Sequence, residues 1–162
     1  MILIVVSTGH FDPLLAECER LRSKYDFFGQ IGSSLVVPSF PHVRMLAPNE
    51  IEQKMKDAEL VISHGGAGMT AMIHRLKKRS VIIPKQRRYG EPNDLQVELA
   101  LKWKELEMGV VILDVEDLDA AIENCRQKTP HFPEFPKLGS HLNSVLKLDP
   151  PSVAQRFKLA GY

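Results

Sequence analysis

The stretch Leu60 to Met72, LVISHGGAGMTAM, most constrains what this chain can become. Leu60-Val61-Ile62-Ser63 has the length and β-branched content of a buried strand, and it breaks at His64-Gly65-Gly66-Ala67-Gly68 before a helix-compatible segment. Glycines in such a turn accept positive φ and let another group approach the backbone closely. The first turn of the following helix presents unpaired N–H groups and a partial positive charge, a combination that suits phosphate. A turn that merely joins strand to helix has the same local pattern.

Charge around the turn is lopsided. From Leu60 to Gly90 there is no Asp or Glu, whereas Arg75, Lys77, Lys78, Arg79, Lys85, Arg87 and Arg88 all fall inside, in a chain of formal net charge +1. Such a field attracts a diphosphate, and it also suits an acidic partner or an anionic membrane surface. Lys77 to Arg79 lie where cations complement a helix C-terminus. Arg87 and Arg88 follow the next strand and are the ligand candidates. Basic residues without interleaved aromatics give no nucleic-acid signature.

On either side of the turn, strands and helices alternate. Ile2 to Val6 reads as the first strand, ending in Ser7-Thr8-Gly9-His10, and a helix after Asp12-Pro13 places Leu14, Cys18, Leu21 and Tyr25 on one face. A second strand lies within 26–33, an extended stretch within 42–46, and a helix from Asn49, its N-cap candidate, to Ala58. After the central strand and a helix over about 68–77 comes Ser80 to Pro84, a buried strand stopped by proline. The loop Lys85 to Pro92 opens a helix with Leu95, Leu99, Trp103 and Leu106 on one face. Val110 to Leu113 is a further strand, and Asp114 with Asp117 forms a capping-box variant before Leu118, Ala121, Ile122 and Cys125.

This alternation predicts an α/β fold, a doubly wound, mainly parallel, Rossmann-like sheet over residues 1–127. Open sheets of this kind bind ligands at the carboxyl ends of their strands, where Ser7, Thr8, Gly9 and His10 would sit. Beyond Gln127, five prolines interrupt two short apolar segments, so 128–162 reads as an appendage packing on the body or on a partner, with Leu142, Val145, Leu146 and Phe157 as packing residues. The 162 residues, 44% hydrophobic and 25% charged, have the composition of a soluble globular domain, and no apolar run reaches the roughly 20 residues that span a bilayer. The first six residues lack the basic flank of a signal peptide. Cys18 and Cys125 read as small core residues of a reducing compartment, and no Cys/His cluster has metal spacing.

Gly66 to Ala71 spell G-x-G-x-x-A, a dinucleotide-type turn, but on about the fourth strand, and Gln86 stands where the acidic ribose ligand is expected. Three blocks point elsewhere: 30–33 (QIGS), 57–68 (DAELVISHGGAG) and 89–100 (YGEPNDLQVELA), with a looser match at Val5 to Gly9 and Phe11 to Pro13. Over roughly residues 1 to 125 the chain resembles the donor-binding C-terminal half of GT-B glycosyltransferases. In particular it is similar to the small soluble subunit of two-part enzymes, the N-acetylglucosaminyltransferase of the dolichol pathway and bacterial capsule and exopolysaccharide relatives.

That resemblance implies a UDP-sugar donor substrate and no cofactor or metal. The donor would be bound by Ser7, Thr8, Gly9, His64, Gly65, Gly66, Ala67, Gly68, Met69, Arg87, Arg88, Glu91, Asn93, Asp94 and Gln96. It implies His10 as general base with Asp12 behind it, and a membrane-associated partner subunit that brings the lipid-linked acceptor. Such a chain is expected in the cytoplasm, recruited to the inner face of a membrane by that partner, with a homo-oligomer compatible. Met69, Met72 and Leu95 stand where the family has a small hydroxyl residue, a Glu and a His. They raise the alternative of a non-catalytic accessory subunit of the same fold.

Overall fold

The computed structural model describes residues 1–135, and a compact unit covers Met1–Phe132. Of the appendage expected over 128–162, residues 136–162 and with them Leu142, Val145, Leu146 and Phe157 lie outside the described residues.

Six parallel strands form one sheet in the order β3-β2-β1-β4-β5-β6. They are β1 (Ile2–Val5), β2 (Phe27–Gln30), β3 (His42–Val43), β4 (Leu60–Ser63), β5 (Ser80–Ile82) and β6 (Val110–Val111). Helices α1 (Asp12–Arg20), α2 (Pro48–Asp57), α3 (Ala67–Leu76), α4 (Leu95–Glu105) and α5 (Leu118–Gln127) connect or follow them. The order reverses between β1 and β4, which pair in register from Ile2 against Leu60 to Val5 against Ser63. This is the doubly wound arrangement whose switch point opens a crevice at the carboxyl ends of the two central strands.

Strict alternation along fully buried strands explains the double winding. Ile2, Ile4, Leu60, Ile62 and Val81 join Leu14, Leu15 and Cys18 of α1 and Leu118 and Ile122 of α5 in one core. Leu3, Val5, Val61 and Ile82 face the other way, onto Ile51 and Met55 of α2, Ile73 of α3, and Ala100 and Trp103 of α4. Leu14, Cys18, Leu21 and Tyr25 are all buried, as their spacing predicts. Cys18 and Cys125 are free thiols in the first core, and burial pushes the Cys125 thiol up to about 11.

Several local expectations are corrected. Ala47, not Asn49, precedes α2, and its N–H donates to the Glu50 carboxylate at 2.8 Å. Asp114 caps nothing with its side chain, because its carboxylate accepts from Arg88 instead. Helix α4 starts after Asp94 and buries Ala100 and Trp103, leaving Leu95 65% exposed rather than on the buried face its spacing predicts. Lys78 donates to the carbonyls of Lys56 (3.1 Å) and Ala58 (2.6 Å), closing the C-terminus of α2 rather than of its own helix.

Candidate functional site at the β1/β4 switch point

Two loops flank the crevice. After β1 the chain turns through Ser7, a non-glycine residue at φ 67, with Thr8 and His10 exposed. The turn is braced from the loop after β2: Ser33 N–H donates to Gly9 O at 3.0 Å and Phe11 N–H to Ser34 Oγ at 3.0 Å. Asp12 Oδ1 accepts the Val36 N–H at 2.8 Å, so its carboxylate is engaged in this brace, while His10 is exposed at the loop surface. Gly32 makes the brace possible at φ +58, because a Cβ there would overlap the carbonyl oxygens of Ser7 and Gly9.

After β4, Gly65 turns at φ +81 and Gly66 precedes α3 with no side-chain cap. Met69 and Thr70 N–H both donate back to Gly66 O at 3.0 Å, so the amides of Ala67 and Gly68 carry the open helix terminus beside exposed space. Thr70 Oγ1 bonds the carbonyls of Gly66 and Ala67 within the helix and is buried, so it does not reach the crevice. Met69 and Met72 pack against the second core. Their apolarity therefore serves the seating of α3 on the sheet.

Between the loops lies a polar cluster of buried His64 and Lys85 with half-buried Gln96. His64 is 8% exposed, its Nδ1 3.0 Å from Gln96 Oε1. The same Oε1 accepts the Lys85 N–H at 3.3 Å. An oxygen taking both bonds assigns the proton of neutral His64 to Nδ1 and a lone pair to Nε2. Burial lowers the His64 pKa; the Gln96 bond opposes this, and the Lys85 charge adds to it. The Cε1 edge of the ring lies over Gly66, 2.6 Å from where a Cβ would stand.

That depression has a consequence for stability. As pH falls below the ordinary histidine value of about 6.5, the unfolded chain takes up a proton before folded His64 does. The stability gained from neutral His64 is thus complete above that value and lost as pH drops through the folded pKa. Urea unfolding at pH 7.5 and pH 5.0 should show a fall in stability that His64→Gln reduces.

Lys85 is the residue missed. It is 7% exposed, and its Nζ lies 2.9 Å from a Cβ built on Gly9. Its signal in the sequence was position alone, the first cation after the β5 strand and its terminating Pro84. Arg87 and Arg88 sit in a short 3-10 turn, Arg87–Tyr89, and do not join the cluster. Arg88 bonds the Asp114 carboxylate and the Leu113 carbonyl and stacks on Tyr89, while Arg87 is 71% exposed, 3.9 Å from Asp94. Asn93 Oδ1 accepts the Leu95 N–H at 3.1 Å and Asp94 Oδ1 the Arg87 N–H at 2.9 Å, so both shape the loop. Glu91 Oε1 stands 3.6 Å from Lys85 Nζ.

A parallel sheet of this order, with an uncapped glycine-led helix at its switch point, is that of a Rossmann-like α/β domain. The glycosyltransferase family 28 C-terminal domain matches residues 21–142, about three quarters of the chain, and the chain belongs to that family. A search of curated proteins gives no match. Among solved structures, CalG4, the calicheamicin glycosyltransferase, superposes with TM-score 0.59 at 15% identity, over 78% of this chain and 34% of its own. The glycotransferase of kitacinnamycin gives 0.58 at 17%, over 78% and 35%. The spinosyn forosaminyltransferase SpnP gives 0.56 at 11%, over 77% and 34%. At these identities the likeness is one of fold, that of the GT-B C-terminal domain, and this chain spans about a third of each. No helix among the described residues is long and apolar enough to cross a membrane.

Proposed function

We propose that this chain is the donor-binding subunit of a heteromeric, inverting glycosyltransferase that takes a UDP-sugar and acts with a membrane-associated partner carrying a lipid-linked acceptor. The observation that supports it most is the meeting of the open α3 terminus, His64 and the Ser7 to His10 turn at the β1/β4 switch point. A GT-B cleft needs two facing domains, and the matched region covers about a third of its structural neighbours, the C-terminal domain alone; the partner is part of the proposal.

In the reaction the acceptor hydroxyl oxygen attacks the anomeric carbon, the bond from that carbon to the diphosphate oxygen breaks, and UDP leaves with the electron pair. A base takes the hydroxyl proton. Exposed on the rim, His10 is the local candidate for that base, and Asp12, held by Val36, positions the loop that carries it. Glycosyl transfer by the co-purified pair tests this: His10→Ala should lower kcat about a hundredfold or more, and undiminished transfer would assign the base to the partner.

A second reading is a non-catalytic subunit that stabilises or activates its partner. Leu95, exposed where the family has His, favours it. The readings separate on donor binding, since an accessory subunit has no need of UDP affinity.

A further inference from the structure

A buried ammonium is costly unless it is paired and hydrogen-bonded. Lys85 is buried to within 7% of full exclusion, yet among the described residues the carboxylate near it, Glu91, stands at 3.6 Å, beyond a normal hydrogen bond. Its head group lies against the Gly9 turn of β1, and its backbone is fixed by Gln96, which also holds His64 over Gly66. The ammonium thus lies against the turn after β1, with Glu91 as a salt-bridge partner at a distance too long for a strong hydrogen bond. Glu91 reaches it from a different kind of element: a loop that follows a 3-10 turn and pivots at Gly90, φ +89, with open space around that glycine.

We infer that Lys85 is the cation that binds the donor's diphosphate, and that Glu91 is its stand-in counter-ion, displaced when the diphosphate arrives. This deepens the donor-binding reading and rests on it for the identity of the ligand. The uncapped α3 amides and the Lys85 ammonium offer the anion dipole and full charge from two strands of the sheet, β4 and β5, on either side of His64. Arg87 and Arg88, the more conspicuous cations of the sequence, have other engagements: Arg88 is held by the β6 loop and Arg87 is exposed beside Asp94.

Displacement makes opposite predictions for the two members of the pair. Removing Lys85 deletes a charge-assisted bond to the anion, whereas removing the charge of Glu91 frees the ammonium for it. A carboxylate that instead bound the ribose or the sugar would weaken nucleoside binding when neutralised.

The test is calorimetric titration of the full chain with inorganic pyrophosphate, uridine and UDP. Lys85→Gln and Lys85→Met should weaken pyrophosphate and UDP about tenfold or more, and Glu91→Gln should tighten both several-fold without changing uridine. Lys77→Gln, at the far end of α3, controls for net charge and should leave all three unchanged. Thermal unfolding of each variant establishes that it is folded. If folded Lys85 variants bind pyrophosphate as the wild type does, or Glu91→Gln weakens it, or the wild type binds no pyrophosphate, the inference falls. The donor reading fails separately, if UDP binds no better than pyrophosphate and uridine adds nothing.

Discussion

Gly32→Ala is expected to destabilise the protein by about 4 kcal/mol, with a fall in Tm of about 10 °C. Two effects combine at this residue. Its φ of +58 is a conformation that costs an L-residue about 1–2 kcal/mol. The added Cβ would also overlap the carbonyl oxygens of Ser7 and Gly9, and these are backbone atoms with little room to yield. The neighbouring bonds from Ser33 to Gly9 and from Phe11 to Ser34 would strain together, so the Ser7 to His10 turn should lose its shape along with the stability. Denaturant unfolding of the variant checks this, and a loss below about 1 kcal/mol would show that the brace is not rigid.

Gly66→Val should behave in the opposite manner, leaving the fold intact while abolishing most donor binding. Gly66 has φ −61 and ψ 143, an extended conformation that valine adopts readily. Its Cβ, however, would lie 2.6 Å from His64 Cε1, so the imidazole must swing away and its bond to Gln96 is broken. The two methyl groups would stand at the mouth of the α3 terminus, where close approach to the Ala67 and Gly68 amides is needed. Together these effects should weaken UDP about a hundredfold, with an unfolding midpoint within a few degrees of wild type. Gly66→Ala should fall between. Unchanged UDP affinity in Gly66→Val would remove the diphosphate from this turn.

The central architecture was legible because β1, β4 and β5 are continuous apolar runs that only a sheet covered on both faces can bury. The strand, glycine turn and helix from Leu60 onward was legible for the same reason, with glycine marking the turn. Less visible was which polar residues the fold brings together. Arg87, Arg88 and Lys85 are equivalent as charges in a sequence, but the 3-10 turn and Gly90 direct Arg88 to the β6 loop, whereas Lys85 leaves its strand directly into the crevice. In α4 the expected face holds at Trp103 and Leu106, which pack on the second core, but fails at Leu95, which stands at the first position of the helix and stays exposed while Ala100 turns inward. The role of Gly32 depends on a contact between loops after two different strands, which no local pattern contains.

The most direct test of donor binding at the switch point is a ¹⁵N-resolved NMR titration of the chain with UDP. The largest amide shifts are expected on Gly65 to Met69, Ser7 to His10 and Lys85, all lying together at the carboxyl edge of β1, β4 and β5. Shifts confined to another face of the sheet, or none at millimolar UDP, would contradict it.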